Sequence, residues 1–516
     1  MLKFDKMLAI SFLTKALKFS LILSSVCFSL CNYPKKPVTK AISTNSLALN
    51  NPTINSSRYV TIQMDISNSN NQPEFYFTDL AYDKTKGLLL MKDDGSITDY
   101  TVVFKLLNGG IINGKKYSGF NYTDGTGKKI GYKYSFAINP NDSHSGNDNN
   151  VTNWGQINEI ISKGHAIMNH SMMHGGIDKL KSIKDAEKNM WKYTHYRMTE
   201  FVVPSNDEGY VESSLNLGYD LISSEFGEPV PDGNNDPGKK NVIWGSFIPV
   251  KTHDFKNVLI TRTNLGDQWN QNELVGSKHF IDRIFDNSES DKKIIGAAFS
   301  HGPGDRPEDI AGFLEFLTYI KNHPSNRDDA WITSSKELMD YIKTKEKVII
   351  TSKNYNPATG KFKIVLDMIN VAPNVINRSL SLKIKGGTIS NVKVQGANEV
   401  RFNSSTGLIN VYKNDISHVK DPLKEILPPQ ITKISASKNS LIITYDRPVK
   451  QTKKDGYDVP GNEIIGMKGQ GKNWQLIMKK QISSGQLFSY RMQRGDATST
   501  DSTNRRVCSY IGMPIK

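Results

Sequence analysis

Between about Tyr59 and Lys345 the chain alternates two hydrophobic rhythms. Short, nearly continuous apolar runs, Gly87–Met91, His165–Met168, Phe201–Val203, Val258–Thr261 and Ile294–Phe299, have the length and composition of strands buried on both faces. Between them, apolar residues recur at helical spacing: Ile157, Ile160 and Ile161 within Trp154–Ser162, a segment Ile183–Glu200, and Ile310, Phe313, Leu314, Leu317 and Ile320 within Pro307–Asn322. A further helix opens at Ser334, where Ser-Ser-Lys-Glu has the form of a capping box, and turns Leu338, Tyr341 and Ile342 inward. Strand then helix, repeated, predicts a parallel sheet with helices outside it, as a doubly wound sheet or a β/α barrel.

After Lys347 the rhythm shortens to a period of two. Val348–Thr351, Lys361–Met368, Ser379–Lys385, Val392–Gln395, Glu399–Phe402 and Leu408–Tyr412, separated by Gly, Asn and Pro, predict a β-sandwich over 346–427. Pro428 and Pro429 mark a boundary, and the segments Ile431–Val449 and Asn473–Lys480 predict an immunoglobulin-like β module over 428–516. Neither part shows a catalytic triad or a metal cluster, so accessory or packing roles are expected.

The N-terminus reads differently. Lys3, Lys6, Lys15 and Lys18 lead into Phe19–Cys31, an uncharged apolar stretch too short for a spanning helix, which predicts an export signal over 1–31. An Asn-, Ser-, Thr- and Pro-rich tether over 32–58 follows. The expected location is the bacterial envelope or beyond, as a periplasmic, cell-surface or secreted protein with no transmembrane helix in the mature chain. Cys27 and Cys31 fall within the signal; Cys31 offers the thiol of a lipid anchor, and lipidation and plain cleavage both remain open. That leaves Cys508 alone in the body, with no internal disulfide. The formal net charge of +15 is scattered among acidic residues, with no long basic run and no nucleic-acid motif, so no nucleic-acid partner is expected.

Three strand ends carry chemistry. The run Gly87–Met91 is followed by Lys-Asp-Asp-Gly-Ser, and a loop at the carboxyl end of such a strand places Asp93 and Asp94 at the functional face. Adjacent carboxylates suit metal-assisted hydrolysis, since one can bind the cation while the other takes a proton; alone, the same residues describe an ordinary surface turn. The second signal is His170 and His174, one helical turn apart after a short apolar strand, so that both rings can face one cation. The third is His301, at the end of Ile294–Phe299. Three strands of one domain thus deliver Asp-Asp, His-x-x-x-His and His to the same edge.

In order and wording these segments resemble the polysaccharide deacetylases (NodB-homology domain, carbohydrate esterase family four). Lys92–Gly95 is similar to that family's first motif, Gly164–His174 to its second, and Phe299–His301 to its late Leu-x-His motif, while Trp331–Ile342 resembles its last strand and helix. The resemblance covers about 59–345 and implies a distorted β/α barrel that removes acetyl groups from an N-acetylated or O-acetylated glycan. It implies Asp93 as general base, Asp94, His170 and His174 as ligands of a divalent metal, and His301 as general acid. Zn2+ is the default metal, with Co2+, Ni2+ or Fe2+ fitting the same ligands. Ser171 would stabilise the loop between the two histidines, Phe299 would line an acetyl pocket, and Asp267 and Trp269 would stand in for a motif with an Asp and a Trp.

The chain also departs from the pattern. Val202 stands where the family's arginine usually orients the base, and Arg262 is a candidate replacement. The Gly-, Lys- and Tyr-rich insertion Gly109–Lys133 is read either as a hairpin over the cleft, with Tyr117 and Tyr122 stacking on sugar rings, or as ordinary cross-strand packing. The missing arginine keeps a second reading open, a catalytically impaired carbohydrate-binding or adhesion protein that retains the fold.

Overall fold

The computed structural model describes residues 58–515 apart from 68–71, 147, 177, 225–246, 250–257, 287–292, 416–418, 420, 423–426, 492–493, 503 and 509. The expected export signal, with Cys27 and Cys31, and the tether up to residue 57 lie outside the described residues. No helix among the described residues is long and apolar enough to cross a membrane.

The apolar runs form a parallel sheet of β1 (Lys86–Lys92), β2 (Ser135–Ile138), β3 (Ala166–Asn169), β4 (Glu200–Val202), β5 (Leu221–Ser224), β6 (Val258–Thr261), β7 (Ile294–Ser300) and β8 (Ala330–Thr333). Every residue of β1 and β7 is buried, which is why both read as continuous rather than alternating apolar sequence. β1 pairs along its whole length with β7; on its other edge its first four residues pair with β8 and its last two with β2. From β2 the sheet runs through β3, β4 and β5 to β6. Two residues beyond β6, Thr263 and Asn264 pair with Ala298 and Phe299 of β7, so the ring of strands closes into a distorted barrel. Arg262 is the single residue between these two pairings.

Around the barrel lie α1 (Trp154–Ser162) and α2 (Lys179–Thr194) against β3, α3 (Glu208–Leu217) against β5, α4 (Gln271–Phe285) against β7, then α5 (Pro307–Asn322) and α6 (Ser335–Lys347). α1 opens with a complete capping box between Asn153 and Gln156. The box expected at α6 is half made: Ser334 accepts from the Glu337 N–H, but the Glu337 carboxylate accepts instead from Thr333 Oγ1 at 2.8 Å.

The strand Tyr59–Ser67, expected to open the barrel domain, does not belong to the barrel sheet. It pairs antiparallel with Lys361–Asp367 and Thr388–Gln395, and Glu74–Phe77 pairs with Leu380–Lys385, so both complete the β-sandwich. The physical reason is the period: Val60, Ile62, Met64 and Ile66 are buried while their neighbours face outward, the alternation of a half-covered antiparallel strand. The C-terminal part is all antiparallel, with a four-stranded and a three-stranded sheet around Leu441, Ile443, Leu476, Phe488 and Tyr490.

The insertion Gly109–Lys133 is also placed differently from the cleft-covering hairpin. It immediately precedes β2 and therefore lies at the barrel end opposite the loops that follow β1, β3 and β7. Its two short ribbons, Gly110–Ile112 with Lys115–Tyr117 and Asn121–Thr123 with Lys129–Gly131, lead to contacts with the sandwich. Tyr412 donates to the Asp124 carboxylate, Asn410 Nδ2 donates to the Asp124 carbonyl at 2.7 Å, and Lys128 pairs with Glu399 at 2.6 Å. Tyr122 is buried between Tyr82 and Tyr132, so packing has won over display.

The same end of the barrel buries Glu200, the first residue of β4. Its Oε1 accepts from Thr199 Oγ1 at 2.6 Å, and its Oε2 has no partner among the described residues. Burial pushes its carboxyl up to about 7, with Lys336 opposing and Asp220 reinforcing the shift. Because this folded-state value lies above the unfolded one, the associated stability is fully present below the ordinary Glu range and is lost as pH rises through about 7. Glu200→Gln is expected to stabilise the protein at pH 8, on the order of 1–3 kcal/mol, and to change little near pH 4. Thermal unfolding at the two pH values checks this, and an equal shift at both would contradict it.

Candidate active site

The loops after β1, β3, β6 and β7 meet at one mouth of the barrel. After β1 the chain turns through Asp94 and Gly95, both with positive φ (78° and 68°). Glycine adopts this conformation freely, whereas Asp94 does so at a cost, and backbone strain of this kind is characteristic of functional turns. The turn sends the two carboxylates to different surroundings: Asp93 is buried and Asp94 exposed at the mouth.

Asp94 faces two imidazoles. Its Oδ1 lies 3.4 Å from His170 Nε2 and 3.8 Å from His174 Nε2, and the three donor atoms all fall within 4.8 Å of one another. Ligands bonded at ordinary Zn–N and Zn–O lengths stand about 3.0–3.4 Å apart, so this trio fits one divalent cation after small adjustments. His170 Nδ1 lies 3.0 Å from the Val202 carbonyl oxygen, which can only accept, so Nδ1 carries a proton and Nε2 is the ring atom turned to Asp94 and to any cation beside it. His174 Nδ1 lies 3.2 Å from Ser205 Oγ. The hydrogen bond to His170 holds the Asp94 carboxyl down at about 2, against the upward push of partial burial.

The histidines meet without a helix between them. The loop from Ser171 to Gly176 is irregular, with Ser171 at φ 63°, so the helical spacing expected of His170 and His174 is replaced by a folded turn. Ser171 stabilises that turn, its N–H donating to Asn169 Oδ1 and its Oγ donating to the Met173 carbonyl at 2.6 Å. Asn139 Nδ2 donates to the carbonyls of His170 and Ser171, and the Tyr210 hydroxyl lies 2.8 Å from the Gly175 carbonyl oxygen. Neither residue was legible as part of the site. Asn139 follows Ser135–Ile138, a short apolar run before Asn-Pro that is itself a recognisable strand signal, while Tyr210 is brought in by packing alone.

Asp93 is held by Arg262. The guanidinium donates from both terminal nitrogens to the two carboxylate oxygens, each at 2.8 Å, with both side chains almost fully buried. Burial works to raise the Asp93 pKa, but the charge and hydrogen bonds of Arg262, aided by His170 and His301, hold it below the usual carboxylate range. The planar fork matches the carboxylate and fixes its orientation. Val202, at the position of the expected arginine, contributes only its carbonyl, to His170.

His301 completes the mouth. Its Nδ1 lies 3.1 Å from Asp267 Oδ1, its backbone N–H donates to the same oxygen at 3.0 Å, and its Nε2 stands 3.9 Å from Asp94 Oδ2. The hydrogen bond to Asp267, with the charges of Asp93 and Asp94, raises its pKa despite partial burial. A Cβ at Gly302 would come within 2.0 Å of the Asp267 carbonyl oxygen, so glycine there allows the two loops to approach this closely.

Two expected substrate contacts are corrected, while Asp267 stays exposed at the mouth and hydrogen-bonds His301. Trp269 is buried against Phe313 and Phe316, its ring centroids 4.9 and 5.0 Å away, and belongs to the core. Phe299 is fully buried beneath Arg262, whose guanidinium carbon lies 4.2 Å from the ring centroid, so the ring supports the arginine and lines no open pocket. A second trio, Asp282, Asp286 and His323, also has its donor atoms close together. There His323 Nδ1 accepts from the Ser325 N–H, which leaves the proton on Nε2, pointing at Asp282, and no lone pair for a cation.

No family model matches this chain, and no curated protein matches it. Among solved structures it is similar to a Streptococcus pyogenes deacetylase in complex with acetate, at 16% identity and TM-score 0.21, over 26% of this chain and 54% of that one. It is also similar to a Bacillus subtilis peptidoglycan deacetylase (12% identity, TM-score 0.27, 51% of this chain and 95% of that one). A third is a Bacillus anthracis pseudoenzyme of carbohydrate esterase family four (12%, 0.25, 50% and 66%). The chain spans about half the length of the streptococcal structure. At these TM-scores the likenesses carry no weight for fold or activity, which rest on the strand pairing and the site geometry.

His170→Ala, His174→Ala and Asp94→Asn are each expected to lower bound divalent metal by about ten-fold or more. Asp282→Asn should leave the metal content unchanged. Elemental analysis of the purified protein after dialysis distinguishes the two trios, and metal lost on Asp282→Asn but kept on His170→Ala would reverse the assignment.

Proposed function

We propose that this chain is a metal-dependent hydrolase that removes acetyl groups from an N-acetylated or O-acetylated polysaccharide or oligosaccharide. The observation that carries the reading is the separation of roles at one mouth: a carboxylate locked by Arg262, a cation-sized Asp94-His170-His174 trio, and a histidine held by Asp267. A divalent cation, Zn2+ by default, would polarise the acyl carbonyl and make bound water acidic when held there. Asp93, ionised and fixed in orientation, accepts the proton of the attacking water. His301, protonated with the support of Asp267, presents Nε2 to the mouth and returns a proton to the departing amine or alcohol. Acetate and the free amino or hydroxyl sugar are the products.

The rival reading, a catalytically impaired carbohydrate-binding or adhesion protein, drew its support from Val202. Arg262 weighs against it, because it gives the base the bidentate partner that Val202 cannot. An exported location, with Cys31 either lipidated or lost with a cleaved signal, is part of this proposal and rests on residues 1–31.

Acetate release from acetylated chito-oligosaccharides and acetylated xylan tests the activity. Asp93→Asn is expected to cost about 10²–10⁴-fold in kcat while metal stays bound. Arg262→Met should also abolish most turnover, and by stranding a buried carboxylate it should cost roughly 3–5 kcal/mol of stability in urea unfolding. Wild-type protein that binds metal yet releases no acetate from either substrate would move the assignment to the binding protein.

A further inference from the structure

The C-terminal module carries a cleft that the barrel chemistry does not use. It opens between the hairpin formed by Ile464–Gln470 and Asn473–Met478 and the short ribbon that pairs Val449–Lys450 with Thr498–Ser499, and has a volume of about 490 Å³. That is the size of a pocket for a small ligand or a few sugar rings. Trp474 forms one wall. It lies on the core side of its strand, two residues before the fully buried Leu476, yet remains partly exposed where it lines the cleft. Its indole N–H donates to the Gly471 carbonyl at 3.3 Å, which fixes the ring.

The rest of the lining is polar. Thr498 and Thr500 offer hydroxyls, and Asp496 offers a carboxylate anchored by the N–H groups of Thr452 and Lys453. The decisive residue is Gln451. It is 5% exposed and lines the cleft, its Oε1 accepts from the Tyr457 hydroxyl, and its Nε2 has no hydrogen-bond partner among the described residues. A buried amide donor left unsatisfied costs roughly 1–3 kcal/mol, which a ligand acceptor at this place would recover. A second cleft, of about 510 Å³, lies on the outer face of the same hairpin, lined by Ile442, Lys468, Asn473 and Gln475, and shares only Gly469, Gln470 and Trp474 with this one. A fixed aromatic face beside the Gln451 amide, two hydroxyls and one carboxylate matches a sugar ring, whose C–H face is apolar and whose edge is hydroxylated.

We propose that this cleft, with Trp474 as platform and Gln451 as buried donor, is a glycan-binding subsite separate from the barrel mouth. Its ligand is the class of polymer named above for the barrel, and in that choice of ligand it rests on the deacetylase reading. By holding the polymer, the module raises its local concentration at the barrel mouth without contributing to the chemistry.

The test uses the full chain with insoluble chitin, insoluble acetylated xylan and N-acetylglucosamine hexamer as probes. Trp474→Ala is expected to weaken retention by about ten-fold or more, and Trp474→Phe, which keeps an aromatic face, by less. Both should retain cooperative unfolding, leave kcat on a short soluble acetylated substrate unchanged and raise KM on the polymer. His170→Ala should lose acetate release while still being retained. Trp474-dependent retention without acetate release in wild type would refute the deacetylase reading and leave this subsite standing. Wild type retained on none of the probes, or Trp474→Ala and Trp474→Phe both retained as tightly as wild type, would overturn the subsite.

Discussion

A carboxylate and a guanidinium withdrawn from water together must satisfy each other, and the Asp93–Arg262 pair does so at the seam where the strand ring closes. Desolvating both groups costs several kcal/mol, and their attraction offsets this only when the geometry is bidentate, as it is here at 2.8 Å on each oxygen. Such a pair adds little net stability compared with an apolar substitute. What it does is make the alternatives expensive: any register of β6 against β5 and β7 that moved Arg262 out of the barrel would strand a charge. Closure of the ring, orientation of Asp93 and the support of Phe299 beneath the guanidinium are therefore one constraint.

The other side chains at the mouth are held in the same manner, each through a partner that answers its chemistry. His170 is set by a backbone carbonyl, His174 by a hydroxyl and His301 by a carboxylate. The difference matters, because a carbonyl occupies Nδ1 and leaves Nε2 turned to the cation-sized trio, whereas a carboxylate favours the imidazolium and fits the ring to give a proton. Similar residues thus take unlike roles through what stands behind them.

Away from the mouth, the sandwich takes its first two strands from before the barrel and the rest from after it. Tyr59–Ser67 and Glu74–Phe77 cross back to pair with strands some three hundred residues later, so the barrel is enclosed in sequence by the sandwich. The insertion Gly109–Lys133 fills the junction between them, with Asp124 meeting Asn410 and Tyr412.

By itself the sequence determined the things that depend on local period and local chemistry. Continuous apolar runs marked β1, β3, β6 and β7, helical spacing marked α1 and α5 to the residue, and strand ends marked Asp93, Asp94, His170, His174 and His301 as neighbours. Tertiary structure alone decided what depends on two distant segments meeting. That Arg262 grips Asp93 follows from the one-residue gap between two strand pairings. That Trp269 and Phe299 are core rather than cleft, that Asp267 serves His301, and that Tyr122 packs at the far end of the barrel follow from which surfaces are covered. Period and composition say that a side chain is to be buried or to react, but the partner that buries or orients it lies on another element, 34 residues away for His301 and 169 for Asp93, and only packing brings the two together.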